Sequence, residues 1–337
     1  MNQVIIIREI EDNDYENIAT FYSTFSDDSK TKEFWIIRLR QWWDENPAYK
    51  YGHPRGVIAQ VDGKIVGITC NFPTRMIWEG KPQIVINGSS WKVLPEYRKF
   101  SMDIWEKHRE ITKNYIMFNT TPNSFVRKLL ITTKQQQLIV SKSFYYYFGH
   151  PQSIFSSTPM VIIAFLSKIL IKCLVNLSNI KRLDIELQNK SLDNVKDKID
   201  KLWVEHRDDF LYTNIRDSNY LRWISKSNEV LYVYKDGELQ GFLILNIDQK
   251  KKIVILVDYW SKNLMDDAKP ILRNLLSYFK DMNLVIPSFC PKLEYAAKSF
   301  FLVRRKNPNI GFIICSKPII INFEKSFFCM LQGDYGM

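Results

Sequence analysis

Leu231-Tyr232-Val233-Tyr234-Lys235-Asp236-Gly237-Glu238-Leu239-Gln240-Gly241-Phe242-Leu243 repeats the pattern of Val57-Ile58-Ala59-Gln60-Val61-Asp62-Gly63-Lys64-Ile65-Val66-Gly67-Ile68-Thr69. In both, a β-branched or aromatic run meets Asp-Gly, a dipeptide that accepts the positive φ angles of a tight hairpin turn. In both, the fourth residue after that glycine is again glycine. The surroundings repeat too. Helical segments precede each hairpin, and a long strand and then a helix follow it: Ile84 to Val93 before Met102 to Asn114, and Ile253 to Trp260 before Ala268 to Met282. This order predicts a duplicated α/β (α+β) fold, two tandem units each with a mixed, largely antiparallel sheet flanked by helices. The units are expected over residues 1–150 and 196–337, with 151–195 as a helical connection.

The rest of the first half fits that frame. Val4 to Ile10 reads as a strand, and Tyr15 to Phe25 as a helix with Ile18, Phe21, Tyr22 and Phe25 on one side. An aromatic-rich helix follows from about Thr31 to Asp44, and Met76 to Trp78 is a strand before a turn at Glu79-Gly80-Lys81-Pro82. Tyr115 to Asn119 is a short strand, a helix starts near Asn123, and the aromatic run Phe144 to Phe148 is expected to close the first unit. With 337 residues, 46% of them hydrophobic, the chain exceeds what one core usually serves. Two cores are therefore expected.

Forty-seven Lys and Arg against thirty-six Asp and Glu leave a net charge of +11, which suits an anionic partner. The cations are scattered among acids and no nucleic-acid motif is present, so phosphorylated small molecules rank above nucleic acid. Cys70, Cys173, Cys290, Cys315 and Cys329 form no CxxC pair and offer no metal site, consistent with a reduced, cytoplasmic compartment. The N-terminal apolar run is short and lacks a basic region, so no export signal is expected. Met160 to Leu177 is the longest apolar stretch, interrupted by Lys168 and Lys172 at i,i+4 spacing. It reads as an amphipathic helix packed between the units, with peripheral membrane contact as the alternative.

The chemistry is expected at Trp91-Lys92-Val93-Leu94-Pro95-Glu96-Tyr97-Arg98-Lys99-Phe100-Ser101-Met102-Asp103, where a long strand meets a helix. This segment resembles the GNAT superfamily of N-acyltransferases, whose fourth strand ends in Val-x-Pro-x-Tyr-Arg before a loop of pattern Arg/Gln-x-x-Gly-x-Gly/Ala. Unpaired N–H groups at a helix start carry the positive end of the helix dipole and can hold a pyrophosphate. The resemblance implies coenzyme A (acyl-CoA) as cosubstrate, bound by Val93, Arg98, Lys99, Phe100, Ser101, Met102 and Asp103, with Asn123 on the following helix. Arg98 matches the pattern. Ser101 and Asp103 depart from it, standing where glycine and glycine or alanine are preferred.

In this family acyl-CoA lies in a V-shaped opening between the fourth and fifth strands, and an amine attacks the thioester directly. By resemblance Asn87, Ser89 and Ser90 lie near the thioester. Asn87 and Ser89 can orient an amine but are not strong bases. Asp258, a carboxylate in an apolar strand of the second half, needs a partner or a task and is the candidate base. His53, His108, His150 and His206 show no metal or triad spacing and are expected to be solvated or capping. Covalent catalysis through Cys70 or Cys173 has no support in the pattern.

A subgroup with two such domains acylates nucleotide-linked amino sugars for cell-surface polysaccharides, and this sequence looks like it. The resemblance implies transfer of acetyl or 3-hydroxybutyryl from acyl-CoA to an acceptor such as a dTDP-3-amino-3,6-dideoxyhexose. Thr121-Pro122-Asn123, Arg216 to Trp223 and the ending Leu331 to Tyr335 point weakly the same way. The alternatives are an aminoacyl-tRNA-dependent transferase acting on a peptidoglycan precursor and a non-catalytic ligand-binding or scaffold protein.

Overall fold

A computed structural model describes residues 4–25, 30–120, 122–139, 143–154, 157–177, 185–263, 266–288, 291–305, 312–319 and 325–329. Thr121, Cys290 and Leu331 to Tyr335 lie outside the described residues. The first half runs β1 (Ile5–Glu9), α1 (Tyr15–Ser23), α2 (Lys32–Trp42), β2 (Gly56–Val61), β3 (Lys64–Trp78), β4 (Lys81–Val93), α3 (Ser101–Thr112), β5 (Ile116–Asn119), α4 (Ser124–Thr132), β6 (Gln136–Ile139) and β7 (Phe144–Phe148). After α5 (Thr158–Leu177) come β8 (Ile185–Gln188), α6 (Lys196–His206), β9 (Tyr212–Asn214), α7 (Ser218–Ile224), β10 (Glu229–Lys235), β11 (Glu238–Asp248), β12 (Ile253–Ser261) and α8 (Ala268–Tyr278). The chain continues through β13 (Asn283–Pro287), α9 (Pro291–Ser299), β14 (Val303–Arg305), β15 (Phe312–Cys315) and β16 (Ser326–Phe327).

The two Asp-Gly hairpins match in detail. Asp62 and Gly63 turn at φ 48° and 75°, and Asp236 and Gly237 at 52° and 77°. Each second strand then carries a one-residue bulge at the equivalent place, since the register shifts between Ala59 and Gln60 and between Val233 and Tyr234. The repeated glycine has a packing reason: a Cβ on Gly241 would lie 2.0 Å from the Trp260 carbonyl oxygen, and one on Gly67 2.7 Å from the Ile104 side chain. Alternation along β2 sets the two faces. Ile58 points to the aromatic core under α1 and α2, while Val57, Ala59 and Val61 pack with Ile104 of α3. Side-chain caps fix helix starts, as Thr31 accepts from the Phe34 N–H and Asp217 from the Tyr220 N–H.

The first sheet has the order β1-β2-β3-β4-β5-β15-β6, with β9 on the extended end of β3 and β16 on β9. The second has the order β8-β10-β11-β12-β13-β7-β14. The halves thus exchange strands: β7 of the first lies between β13 and β14, while the second lends β15, between β5 and β6, together with β9 and β16. Phe144 to Phe148 therefore forms the expected strand but in the second sheet, because its aromatic side chains fill that core. Residues 185–188, placed by sequence in the connection, form β8 and pair with β10.

The halves are also tied by side chains. Arg75 and Asp217 form a two-point ion pair at 2.6 and 2.8 Å, and Trp223 donates its indole N–H to the Gln41 carbonyl oxygen at 2.7 Å. Helix α5 packs against β7 and buries Ala164 and Ile171, while Lys168 bonds the Gly149 carbonyl oxygen at 2.6 Å. It is not sandwiched between the halves. Ile162, Phe165, Leu166, Ile169 and Leu170 on its outer side are exposed. Among the described residues no helix is long and apolar enough to cross a membrane.

Candidate active site at the opening between two parallel strands

Strands β4 and β5 run parallel and are paired only from Val85 with Ile116 to Asn87 with Phe118. Beyond that point β4 is bent away by a bulge: Ile68 pairs with Lys92, but Cys70 pairs with Ser89, leaving two β4 residues against Thr69 alone. Ser90, one of the two, takes a left-handed φ of 54°. Non-glycine residues enter that region at a cost, and bulges re-aim side chains at barrel rims and sites. The Tyr22 hydroxyl donates to the Ser90 carbonyl oxygen at 2.6 Å and holds the bend.

The separation opens a cavity of about 270 Å³, walled by Gly88 to Trp91 of β4, Asn119 at the end of β5 and Thr120 after it, Asn123 capping α4 and Val126 within it, and Trp105 and His108 of α3. Gly88 leaves this space clear, for a Cβ there would lie 2.8 Å from the Asn119 side-chain oxygen. The rings of Trp91, Trp105 and His108 stack in a row, with centroids 5.7 and 5.5 Å apart. Around them several buried polar atoms have no protein partner, including Trp105 Nε1, His108 Nδ1 and Asn119 Nδ2. A polar ligand in the cavity would satisfy groups of this kind.

His108 is the residue that sequence reasoning missed. It is buried rather than solvated, and its Nε2 lies 2.8 Å from the Asn71 side-chain oxygen. That oxygen only accepts, so Nε2 carries the proton and Nδ1 keeps its lone pair. Burial pushes the imidazole pKa down to about 4, so the ring is neutral near pH 7. A base so weak orients a neighbouring polar group better than it takes a proton. The signal in the sequence was the buried face of α3, where Ile104, Trp105, His108 and Thr112 fall at helical spacing.

The other expected residues divide. Ser89 and Asn123 line the cavity, and Asn123 also caps α4 by accepting from the Val126 N–H at 2.9 Å. Asn87 sits at the vertex of the opening but is buried, donating to the Thr74 hydroxyl at 3.0 Å and the Phe72 carbonyl oxygen at 3.3 Å. Val93 ends β4 opposite Gly67 and packs in the cluster around Ile104. Arg98, Lys99, Phe100, Ser101, Met102 and Asp103 do not form an open loop. Pro95–Phe100 is a 3-10 helix that runs straight into α3, and the Ser101 N–H donates to the Arg98 carbonyl oxygen. The missing glycines account for this, since nothing there enters the left-handed region. Arg98, Lys99, Met102 and Asp103 lie exposed on that run.

Asp258 is far from any such opening in chemical terms. It is fully buried, and its carboxylate receives Arg216 Nε at 2.9 Å, Arg216 Nη2 at 3.1 Å and the Tyr220 hydroxyl at 3.0 Å. The Tyr259 N–H adds a fourth bond at 2.8 Å. Arg216 is equally buried, also bonds Thr213 and the Asn214 carbonyl oxygen, and lies over the Phe327 ring. The carboxylate therefore has a structural task and no free lone pair for the cavity. Cys70 is buried with its thiol pushed up to about 12, which leaves it no thiolate for covalent work. Among the described residues no group of His, Cys, Asp and Glu could hold a metal ion.

No protein-family model matches the sequence, and no curated protein matches it either. Solved structures do. A conserved protein of unknown function from Enterococcus faecalis V583, named a probable N-acyltransferase, superposes with a TM-score of 0.61 at 13% identity, covering 93% of this chain and 72% of its own. The N-myristoyltransferase of Saccharomyces cerevisiae with bound myristoyl-CoA gives 0.53 at 14%, covering 94% and 82%. A GCN5-related N-acetyltransferase from Kribbella flavida gives 0.54 at 9%, covering 93% and 71%. Identities this low establish a shared fold: the chain has the mixed α/β architecture of these structures over most of its length, and the duplicated hairpins predict such an α/β fold.

Proposed function

We propose that this protein is an acyl-CoA-dependent N-acyltransferase whose acceptor is the amino group of a nucleotide-linked amino sugar. The observation that carries the reading is the bulged, splayed β4–β5 pair and the polar cavity it opens, in a fold shared with N-acyltransferases. The amine nitrogen attacks the thioester carbonyl carbon, the C–N bond forms, the C–S bond breaks, and the proton lost by the amine accompanies the departing thiol. Gly88 leaves room for the thioester, and Asn119 and Trp105, whose side-chain N–H groups have no protein partner, are the donors for the reacting carbonyl. Ser89 and neutral His108 orient the amine. The cavity suits the pantetheine arm, but the run from Pro95 into α3 offers no backbone cradle for a pyrophosphate. Exposed Arg98 and Lys99 are the groups that hold it instead, by charge.

Acetyl and 3-hydroxybutyryl are the donors to test first. Full-length protein is incubated with each acyl-CoA and a panel of amino-sugar nucleotides, with free-thiol release as the readout. Acceptor-dependent release supports the proposal. Calorimetry in which neither acyl-CoA nor coenzyme A binds would falsify it. We also propose peripheral contact of α5 with an anionic membrane, because Phe165 and Leu166 are 54% and 59% exposed beside Lys172. Sedimentation with phosphatidylserine vesicles checks this, and a Phe165→Ser, Leu166→Ser variant that sediments equally well would refute it.

A further inference from the structure

A second cavity, of about 300 Å³, adjoins the first and shares Trp105, His108 and Asn119 with it. It runs under the C-terminal half of α3, and its walls carry Arg109, Lys113 and Lys317 but no Asp or Glu. None of these three cations has an ion-pair or hydrogen-bond partner among the described residues. Some surface cations do have acidic partners close by, as Lys107 has Glu110 and Lys298 has Glu294. Arg109 of α3 and Lys113, which caps the helix with helical backbone angles, are four residues apart and so project from one side. Like charges at that spacing repel, which costs stability unless an anion joins them.

The third cation arrives by strand exchange. Ser316, directly after β15, receives the Met117 N–H on its hydroxyl at 2.9 Å and returns its own N–H to the Met117 carbonyl oxygen at 3.0 Å. This two-point clamp fixes Lys317 across the cavity from α3. A residue near the end of the chain thereby completes a site in the first half. The hydroxyls of Thr112, Thr133 and Ser316 and the unpartnered side-chain oxygen of Gln135 make up much of the remaining wall. An apolar acyl tail would gain little in such surroundings. An anion would pair with all three cations.

We infer that the second cavity binds the phosphate or diphosphate of the acyl acceptor, held by Arg109, Lys113 and Lys317. The inference rests on the acyltransferase reading above and adds the position and chemistry of the acceptor's anchor. The twelve residues of α3 put about 18 Å between its ends, so Arg98 and Lys99 at its start cannot serve the same group as Lys113 beyond its end. From His108 to Lys113 the rise is about 7.5 Å, close to the length of a single sugar ring between an amine and an anomeric phosphate. One helix thus separates two anions: the coenzyme's at its N-terminal end and the acceptor's at its C-terminal end, with the reacting groups near His108 and Asn119.

The test is calorimetric titration of UDP, dTDP and acetyl-CoA, each alone, into the full chain and into a Lys113→Gln, Lys317→Gln double variant. These side chains are exposed, so the fold is kept, and an unchanged circular-dichroism spectrum and melting midpoint verify that. The expected result is a fall of tenfold or more in nucleoside diphosphate affinity with acetyl-CoA affinity held within twofold. Arg98→Gln, Lys99→Gln should give the converse. Nucleoside diphosphates that do not bind the parent, or bind the double variant equally well, overturn the inference while leaving acyl-CoA binding intact. A parallel loss of acetyl-CoA affinity in the Lys113, Lys317 variant also overturns it, by giving the cavity to the coenzyme's own phosphates. If acetyl-CoA never binds but UDP binding still depends on these lysines, the anion site stands and the acyltransferase reading falls.

Discussion

The two halves contain the same device and use it differently. In each, a bulged strand follows the duplicated hairpin and pairs in parallel with the next strand over three registered positions, Val85 to Asn87 in β4 and Ile253 to Ile255 in β12. Val93 and Ser261 stand opposite the equivalent glycines Gly67 and Gly241, so Asp258, three residues before Ser261, corresponds to Ser90, three before Val93. In the first half the residues past the vertex, from Gly88 to Trp91, wall a cavity. In the second, Val257, Asp258, Tyr259, Trp260 and Ser261 are all buried, and the Arg216 guanidinium occupies the polar centre. Duplication conserved the scaffold. The difference lies in whether the opening faces a ligand or is closed by the chain's own ion pair.

The largest expected effect breaks the closed half. Asp258→Asn keeps the volume but leaves the Arg216 charge buried without its counter-charge, and a broken buried pair of this kind costs about 3–5 kcal/mol. Urea unfolding should show that loss, while the folded fraction binds acyl-CoA with unchanged affinity. Intact stability with abolished turnover would instead make Asp258 part of the chemistry and end the contrast between the halves. Replacing both partners, as Asp258→Leu with Arg216→Met, should recover most of the stability.

The next effect comes from the open half and from pH. His108 titrates near 6.5 unfolded and about 4 folded, so between those values the unfolded chain binds more protons. Stability from the neutral, buried ring is therefore complete above pH 6.5 and declines as pH falls through about 4, by about 3 kcal/mol in all. His108→Gln should flatten that acid limb in chemical denaturation measured from pH 7 to pH 4. An unchanged limb would mean that water reaches the ring and that this side of the opening is wetter than its burial implies. Smaller again is Gly88→Val, which puts methyl groups where a Cβ already meets Asn119 at 2.8 Å. Acyl-CoA affinity should fall tenfold or more, about 1.4 kcal/mol, and equal affinity would move the thioester out of this cavity.

Local signals made most of the fold legible in the sequence. Asp62-Gly63 and Asp236-Gly237 dictate their own turns, and Thr31 and Asn123 cap helices through bonds within three residues, so a window of sequence contains the physics. Partnership across the chain is a different matter. Phe144 to Phe148 is visibly a strand, but whether it closes the first sheet or crosses to β13 depends on residues more than a hundred positions away. Asp258 shows itself as a carboxylate in an apolar run, and its answer, Arg216, lies 42 residues earlier on another element. Lone cations such as Lys317 carry no signal until strand exchange sets them beside α3.

The subtlest test concerns the bend itself. Ser90 holds φ at 54°, where any side chain with a Cβ is disfavoured and glycine is not, so Ser90→Gly removes a local penalty at the price of a more disordered unfolded chain. The balance should be within about 1 kcal/mol of neutral, toward stabilisation, in thermal or urea unfolding. Function should move the other way. Tyr22 fixes the Ser90 carbonyl oxygen, and the serine hydroxyl lies 3.2 Å from that of Ser89, so the pair holds the cavity wall at one setting. With glycine the bulge gains freedom, and kcat should drop severalfold while the affinity for acyl-CoA stays near its original value. A variant that is both more stable and fully active would mean that the strain at Ser90 serves no function in the opening.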